Sequence, residues 1–201
     1  MEDAKLTNSP SANLPLSEEQ IIATHVRKPK PLNSTIYLAP YNPVWPLLFT
    51  RLEKHIREVL GDSIRLLEHV GSTSVPGLSA KPIIDMVLAV KDSRDEPSYV
   101  KPLEEKGYIL RIREPDWYEH RLLKPPDVPG NLHVFSEGCE QIEQMLLFRD
   151  WLRNHASDRL VYEETKRKWQ PKPGSTPRTM RTLRPKSFRG YWHEPAATRF
   201  R

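Results

Sequence analysis

Residues 68–85 read EHVGSTSVPGLSAKPIID, and they carry most of the information that this sequence gives about its fold and its chemistry. Its first part has the composition of a strand and ends in a turn made of Gly71, Ser72, Thr73 and Ser74. Glycine lets the backbone approach a ligand closely, and hydroxyl and N–H groups donate hydrogen bonds to phosphate oxygens. The turn therefore predicts phosphate binding, with Lys81 as a neighbouring cation. A simple turn or a capped helix start would have the same composition.

Asp85 is an acid within an apolar run, IIDMVLAV at residues 83–90. Branched aliphatic neighbours on an inner strand cannot replace the water that a carboxylate loses, so this side chain needs a polar partner. A divalent cation that bridges the carboxylate to substrate phosphates is one such partner, and a buried ion pair is the other. The turn just upstream favours a divalent cation as the partner of Asp85. The apolar run alone is equally compatible with a cation and with a buried ion pair.

Further segments accompany this stretch in a fixed order. They are IYLAPYNPVWP at residues 36–46 followed by Phe49, HRL at 120–122, NLHV at 131–134 and LLFRDWL at 146–152. Together with residues 68–85 they resemble the signature of the GrpB family, also called UPF0157, over roughly residues 35–168. Members of that family look like small nucleotidyltransferase-fold proteins. The resemblance therefore implies a nucleotidyltransferase-like mixed sheet flanked by helices.

The resemblance also implies roles for individual residues. Gly71 and Ser72 are implied as phosphate contacts, and Asp85 is implied as a ligand for Mg²⁺. Val87 stands where the second acid of the superfamily's metal-binding pair is expected, on the face that Asp85 shares. Glu68 and His133, on strands predicted to flank Asp85, are the candidates to complete the metal site. His133 is alternatively a proton carrier or a hydrogen-bonded histidine of the sheet.

Two arginines and two further histidines complete the set of candidates. Arg121, beside His120 on a predicted strand, would clamp a phosphate with its fork of donors. Arg149, on a predicted helix, is expected to pair with a nearby acid. For His69 and His120 the choice between a chemical and a structural role stays open, with less motif support than for His133.

The remaining pattern predicts one α/β (α+β) domain over residues 35–168. Apolar residues recur at helical spacing from Pro43 to Gly61, and again over residues 140–153 and 157–168, with Ser157 as the expected cap. A short helix is predicted at residues 99–106. Strands are predicted at residues 36–38, 63–69, 82–90, 108–112, 119–123 and 131–135.

Both ends of the chain differ from that domain. Residues 1–34 contain several prolines and no sustained period, which predicts a flexible arm. From Lys166 onward there are eleven lysines or arginines and one acid, Glu194, so the net charge of +5 originates in this part. Residues 169–201 are therefore predicted to form a disordered basic tail. It is either a solvated extension or, through aromatic residues among arginines, a contact for single-stranded nucleic acid or an anionic surface.

A single cysteine, Cys139, among 201 residues excludes an intramolecular disulfide. Cys139 precedes a predicted helix, where it is either a reactive thiol or a small packing residue. No apolar run is long enough to span a bilayer, and no cationic-plus-apolar segment opens the sequence. A cytoplasmic location is therefore expected.

Two functions are compatible with these residues. In the first, the chain is a Mg²⁺-dependent nucleotidyltransferase-like enzyme that binds a nucleotide or another phosphorylated small molecule and transfers a nucleotidyl group to an acceptor. In the second, the site binds a nucleotide or anion without chemistry, and the protein is a binding or interaction module. Val87 favours the second. Some family members are fused to dephospho-coenzyme A kinase, although this chain has no Walker-type glycine loop.

Overall fold

A computed structural model of the chain describes residues 23–26 and 38–168. Five strands and four α-helices follow one another within residues 38–168. The strands are β1 Leu66–Val70, β2 Ile84–Val90, β3 Ile109–Glu114, β4 His120–Lys124 and β5 Gly130–Ser136, and the helices are α1 Val44–Leu60, α2 Val100–Glu105, α3 Glu140–Asn154 and α4 Ala156–Lys168. This order confirms the predicted mixed α and β class. The rest of the predicted arm, residues 36 and 37 of the predicted first strand, and the predicted tail lie outside the described residues.

The five strands form one mixed sheet in the order β1-β2-β5-β4-β3. Strands β2 and β5 are parallel, and each other neighbouring pair is antiparallel. Across the parallel pair, Asp85 lies beside Asn131 and Val87 lies beside His133. Because side chains alternate between the two faces of a sheet, these four residues share one face.

The opposite face of the sheet carries the larger core, which α1 and α2 cover. Pro43 precedes α1, and Asn42 Oδ1 accepts a hydrogen bond from the Val44 N–H at 2.9 Å. The first N–H group of the helix therefore has a hydrogen-bond partner. The helix ends at Gly61, where φ is 50°. The core contains Trp45, Leu52, Ile56 and Leu60 of α1, together with Leu67, Met86, Leu110, Leu123 and Leu132 of the five strands.

Helices α3 and α4 cover the face that carries Asp85. One small core on this face consists of Val70, Val87, Ala89, Phe135 and Ile142. Another consists of Val75, Leu78, Leu152 and Tyr162, which come from the segment between β1 and β2, from α3 and from α4. The two helices therefore hold the glycine-serine turn and the segment after it against the domain.

Residues 24–26 extend the sheet beyond β3, in a part of the chain for which the sequence predicts a flexible arm. The Val26 N–H donates to the Arg111 carbonyl, and the Arg113 N–H donates to the Thr24 carbonyl, both at 2.9 Å. These bonds cover part of the β3 edge, whose N–H and C=O groups would otherwise be available to another chain.

Three expectations about individual elements can be compared with the structure. Strand β1 corresponds to the strand predicted at residues 63–69. It begins only at Leu66, because Gly61–Ser63 form a short 3-10 turn. Ser157 lies inside α4 and does not cap it, because α4 begins at Ala156. Among the described helices, none combines the length and the apolar character that a membrane span requires.

Candidate functional site

The glycine-serine turn is packed against Asp85. Gly71 adopts a φ of 71°, and Ser72–Ser74 follow as one 3-10 turn. A Cβ atom at Gly71 would lie 2.6 Å from Asp85 Oδ2, closer than real Cβ atoms approach an oxygen. The two motifs that stand out in the sequence therefore meet in space. Glycine is required there both by the conformation and by the contact.

The three hydroxyl groups of the turn have different roles. Thr73 Oγ1 donates to the Ile83 carbonyl at 3.0 Å, and Ser74 Oγ donates to the carbonyl three residues earlier at 2.6 Å. Both hydroxyls are thus used within the fold. Ser72 Oγ instead accepts a hydrogen bond from Lys166 Nζ at 3.0 Å. Ser72 is therefore the hydroxyl of the turn that lies beside a cation.

Lys166 of α4 is a buried cation that no sequence motif singles out. The residue is 4% exposed, and its Nζ also donates to the Ser79 carbonyl at 2.7 Å. Burial lowers the pKa of Lys166 to about 8, against the opposing effect of the Glu163 and Asp85 charges. In sequence, this lysine belongs to a highly charged helix and resembles a surface residue. Its burial depends on where α4 docks, which no local pattern specifies.

Asp85 is surrounded by one amide and three lysines. Asn131 Nδ2 donates to Asp85 Oδ1 at 2.6 Å, and Lys124 Nζ donates to Asn131 Oδ1. Burial raises the pKa of Asp85 to about 6, while the Asn131 hydrogen bond and the charges of Lys124, Lys166 and Lys81 oppose that rise. Burial also lowers the pKa of Lys124. Cationic groups thus outnumber the acid, which suits an anionic ligand.

The side chains around Asp85 do not fit a resident magnesium ion. Glu68, the predicted second ligand, accepts a hydrogen bond from Arg149 Nη1 at 2.8 Å, and Val87 contributes no oxygen. Within residues 23–26 and 38–168, no group of three His, Cys, Asp or Glu side chains could hold a metal ion. The neighbouring lysines would repel a divalent cation, which needs several oxygen ligands.

The two candidate arginines form ion pairs. Arg121 Nε contacts Glu96 Oε1 at 2.6 Å. Arg121 pairs with Val134 across the sheet and so lies on the face that α1 and α2 cover, which means that the structure does not bring it to Asp85. Arg149 pairs with an adjacent acid, Asp150, at 2.8 Å, in agreement with the sequence prediction.

His133 lies two residues beyond Asn131 on β5 and is linked to two further buried groups. Its Nδ1 is 3.0 Å from His120 Nε2, and His120 Nδ1 is 2.7 Å from Glu114 Oε2. Burial, together with the nearby His120 and Lys124, holds the pKa of His133 well below its ordinary value. The lowered pKa favours the neutral form of the His133 ring.

His69 and Cys139 contribute to packing. His69 stacks on Phe49 of α1 with 4.9 Å between ring centroids, and burial lowers its pKa to about 4. Burial raises the pKa of the Cys139 thiol, even though N–H groups of α3 act in the opposite direction. Because a raised pKa disfavours the thiolate, the structure favours the small packing residue over the reactive thiol.

Comparison with known proteins identifies close relatives of this chain. Residues 35–181 match the model of the family described as GrpB protein. A UPF0157 protein of Halalkalibacterium halodurans is 56% identical over 158 residues, which cover 79% of this chain and 81% of that protein. A UPF0157 protein of Streptomyces coelicolor is 44% identical over 132 residues, which cover 66% of this chain and 69% of that protein.

A solved structure and an enzyme extend the comparison. The crystal structure of conserved protein GrpB from Enterococcus faecalis matches 66% of this chain and 81% of its own, with a TM-score of 0.60 and 27% sequence identity. A dephospho-CoA kinase of Mycolicibacterium paratuberculosis is 27% identical over 158 residues, which cover 66% of this chain and 39% of the enzyme. The family model, the relatives and the similar fold all point to the same family over the described domain. The chain therefore belongs to the GrpB protein family.

Proposed function

We propose that this protein binds a phosphorylated small molecule, with a nucleotide as the favoured ligand. The binding site, here called the phosphate site, consists of Gly71, Ser72, Asp85, Lys124, Asn131 and Lys166. The observation that carries the proposal is the buried ammonium group of Lys166, which is hydrogen-bonded to a hydroxyl of the glycine-serine turn. A cation in that position is ready to neutralise an anion bound on the turn.

The electrostatics of the phosphate site support an anionic ligand. A buried ammonium group costs free energy that hydrogen bonds to neutral oxygens recover only in part. A phosphate on the turn would supply the opposite charge and raise the pKa of Lys166 toward its ordinary value. Lys124 contributes a second positive charge through Asn131. Asp85 is the group that opposes an anion, and its raised pKa weakens that opposition.

The relatives and the residues together rank the two functions. One relative is an enzyme named dephospho-CoA kinase, of which only part corresponds to this chain, and this supports a phosphorylated ligand without identifying it. Val87 and the lysines around Asp85 favour binding over Mg²⁺-dependent transfer. Transfer of a nucleotidyl group to an acceptor is the second candidate, which the neutral His133 beside the phosphate site favours.

Isothermal titration calorimetry of ATP and of inorganic pyrophosphate into the full-length protein tests the proposal. The variant Lys166→Met keeps the apolar stem of the side chain and removes its charge. We expect it to bind at least about tenfold more weakly, because a hydrogen bond to a charged group contributes about 1.5–3 kcal/mol. Lys168→Met removes an exposed charge from the same helix and should change affinity less than about twofold.

Titration in the presence of EDTA separates the two interpretations of Asp85. Binding should persist without divalent ions, because the lysines of the phosphate site neutralise the ligand. Binding that requires Mg²⁺ would favour the metal-dependent interpretation instead. The proposal would be overturned by a folded wild-type protein that binds neither ligand, or by equal losses of affinity in the two lysine variants.

A further inference from the structure

Glu114, His120 and His133 form a continuous line of hydrogen bonds across one face of the sheet, from β3 over β4 to β5. Glu114 and His120 are cross-strand neighbours at the tip of the β3–β4 hairpin and are 6% and 3% exposed. Glu114 Oε2 lies 2.7 Å from His120 Nδ1, and His120 Nε2 lies 3.0 Å from His133 Nδ1. A buried carboxylate is thus connected to the half-buried ring of His133 through a second imidazole.

The line of hydrogen bonds restricts the positions that the protons can take. An ionised Glu114 carboxylate can only accept, so His120 carries its proton on Nδ1. A second proton on His120 would reverse its hydrogen bond to His133, whereas with one proton the Nε2 atom of His120 accepts and His133 donates from Nδ1. This arrangement leaves a lone pair on His133 Nε2. That atom has no hydrogen-bond partner among the residues that the structure describes, and His133 as a whole is half-buried.

The hairpin that positions His120 is conformationally strained. Tyr118 and Glu119 adopt φ values of 53° and 50°, which are unfavourable for residues other than glycine. The His120 ring is also held between Trp117, whose ring centroid lies 5.2 Å away in an edge-on contact, and Phe135, which stacks at 4.8 Å. Strain of this kind persists only where the surrounding structure holds the backbone in place.

His133 lies on the face of the sheet that carries Asp85 and Asn131 of the phosphate site. The β2–β5 register places Asp85 beside Asn131 and Val87 beside His133, so His133 is one two-residue step from Asn131 on the same face. Such a step spans about 7 Å along a strand. Lys124 lies close enough to His133 to affect its pKa, which ties the ring to the cationic part of the site.

We propose that Glu114, His120 and His133 form a hydrogen-bonded relay that holds His133 in the tautomer whose Nε2 atom is the general base for group transfer from a phosphoanhydride to a hydroxyl acceptor. This inference rests on the proposed function for its substrate. The acceptor O–H bond breaks, its proton moves to His133 Nε2, and the oxygen electron pair forms the new bond to phosphorus. The phosphorus–oxygen bond to the leaving phosphate or pyrophosphate breaks, and that oxygen departs with the bonding pair.

The roles of the three residues differ. His133 is the catalytic residue, because its Nε2 atom would contact the acceptor. Glu114 and His120 are positioning residues, because they act by fixing the tautomer of His133. Lys166 and Lys124 neutralise the charge that develops on the leaving group.

Reaction with diethyl pyrocarbonate tests the relay in the full-length protein, because this reagent acylates unprotonated imidazole nitrogens. Mass mapping of the labelled peptides compares His133 with His55, a half-buried histidine of α1 outside the phosphate site. We expect His133 to react faster than His55, and we expect inorganic pyrophosphate to slow the labelling of His133 alone. An unreactive His133 would overturn the relay.

Protection of His133 by pyrophosphate tests the catalytic role of His133 separately from the proposed function. If calorimetry shows that pyrophosphate binds but His133 is not protected, the base does not belong to the phosphate site and the catalytic role is overturned. If pyrophosphate does not bind at all while His133 remains reactive, the proposed function and the transfer reaction fail, and the tautomer assignment alone survives.

Nitrogen NMR of the protein labelled with ¹⁵N-histidine reads the tautomer directly. In the wild type, we expect the His133 proton on Nδ1, and a proton on Nε2 would overturn the relay without any variant. His120→Phe keeps a ring in the same packing but removes the acceptor. It should shift His133 toward the Nε2–H tautomer and slow labelling by up to about tenfold, the equivalent of one hydrogen bond. His55→Phe should change neither readout.

Discussion

Gly71 is the residue at which the backbone and the chemistry of the phosphate site depend on each other. Its positive φ suits a residue without Cβ, and the missing Cβ leaves room for Asp85 Oδ2. We expect Gly71→Ala to lower the free energy of unfolding by about 2–4 kcal/mol, because it adds a clash to an unfavourable backbone conformation. Urea denaturation followed by circular dichroism measures this loss.

Gly77→Ala is the matched control for that measurement. Gly77 has a φ of 77°, but a Cβ atom there would meet nothing within 4 Å. In Gly77→Ala the free energy of unfolding should therefore fall by only about 1–2 kcal/mol, the cost of the unfavourable backbone conformation without a clash. If the two variants lose the same free energy, the close contact between Gly71 and Asp85 does not contribute.

Asp85 should make the stability of the domain depend on pH. Its folded-state pKa of about 6 exceeds the ordinary value of 3.8, so the folded protein binds the proton more tightly than the unfolded chain. The free energy of unfolding should therefore fall as the pH rises from about 4 to about 6. We expect Asp85→Asn to weaken this dependence and to be the more stable protein above pH 6, by on the order of 1–3 kcal/mol.

Urea unfolding of the wild type and Asp85→Asn at several pH values between 4 and 7 checks this prediction. Asp62→Asn, which makes the same substitution at an exposed acid just after α1, is the control. Parallel profiles for the wild type and Asp85→Asn would show that Asp85 does not titrate in this range.

At the scale of elements, α1 depends on the side chain that caps it. Asn42 Oδ1 accepts the Val44 N–H, which has no partner within the helix. We expect Asn42→Ala to lower the free energy of unfolding by about 1 kcal/mol, and Asn42→Asp, which keeps an acceptor, to cost much less. Thermal unfolding of the two variants measures the difference, and equal losses would mean that the cap contributes nothing.

Most elements were predictable because each has its own local signal. Helix α1 follows Pro43 and carries an apolar stripe, and β2 is a continuous apolar run between turn residues. The pairing of residues 24–26 with β3 has no such signal, because it depends on an open sheet edge elsewhere in the fold. The predicted start of β1 was wrong because a short 3-10 turn, Gly61–Ser63, occupies that position.

The position of site residues on the sheet was harder to predict than the sheet itself. Arg121 and His120 are adjacent in sequence, so their side chains point to opposite faces, and the choice of face depends on the register of the hairpin. Gly71 and Asp85, which the family resemblance assigns to one site, lie in contact, and only a short segment separates them in the chain. Lys124 and Lys166 were missed because their approach to Asp85 is set by pairing and docking over long separations.

At the scale of the whole molecule, residues 24–26 should protect the domain from self-association. Removal of residues 1–27 deletes the residues that pair with β3, whereas removal of residues 1–22 keeps them. We expect the longer deletion to form dimers or larger species, because unpaired strand edges bind one another. Size-exclusion chromatography with light scattering compares the two, and a monomeric longer deletion would contradict this prediction.

The bond between Lys166 and Ser72 joins positions 94 residues apart in the chain. During synthesis, which runs from the amino terminus, the glycine-serine turn is complete long before its cation has been made. Affinity for a phosphorylated ligand can therefore arise only after α4 has emerged and docked. Such a ligand would in turn hold α4 in place, so slower amide hydrogen exchange in that helix would accompany its binding.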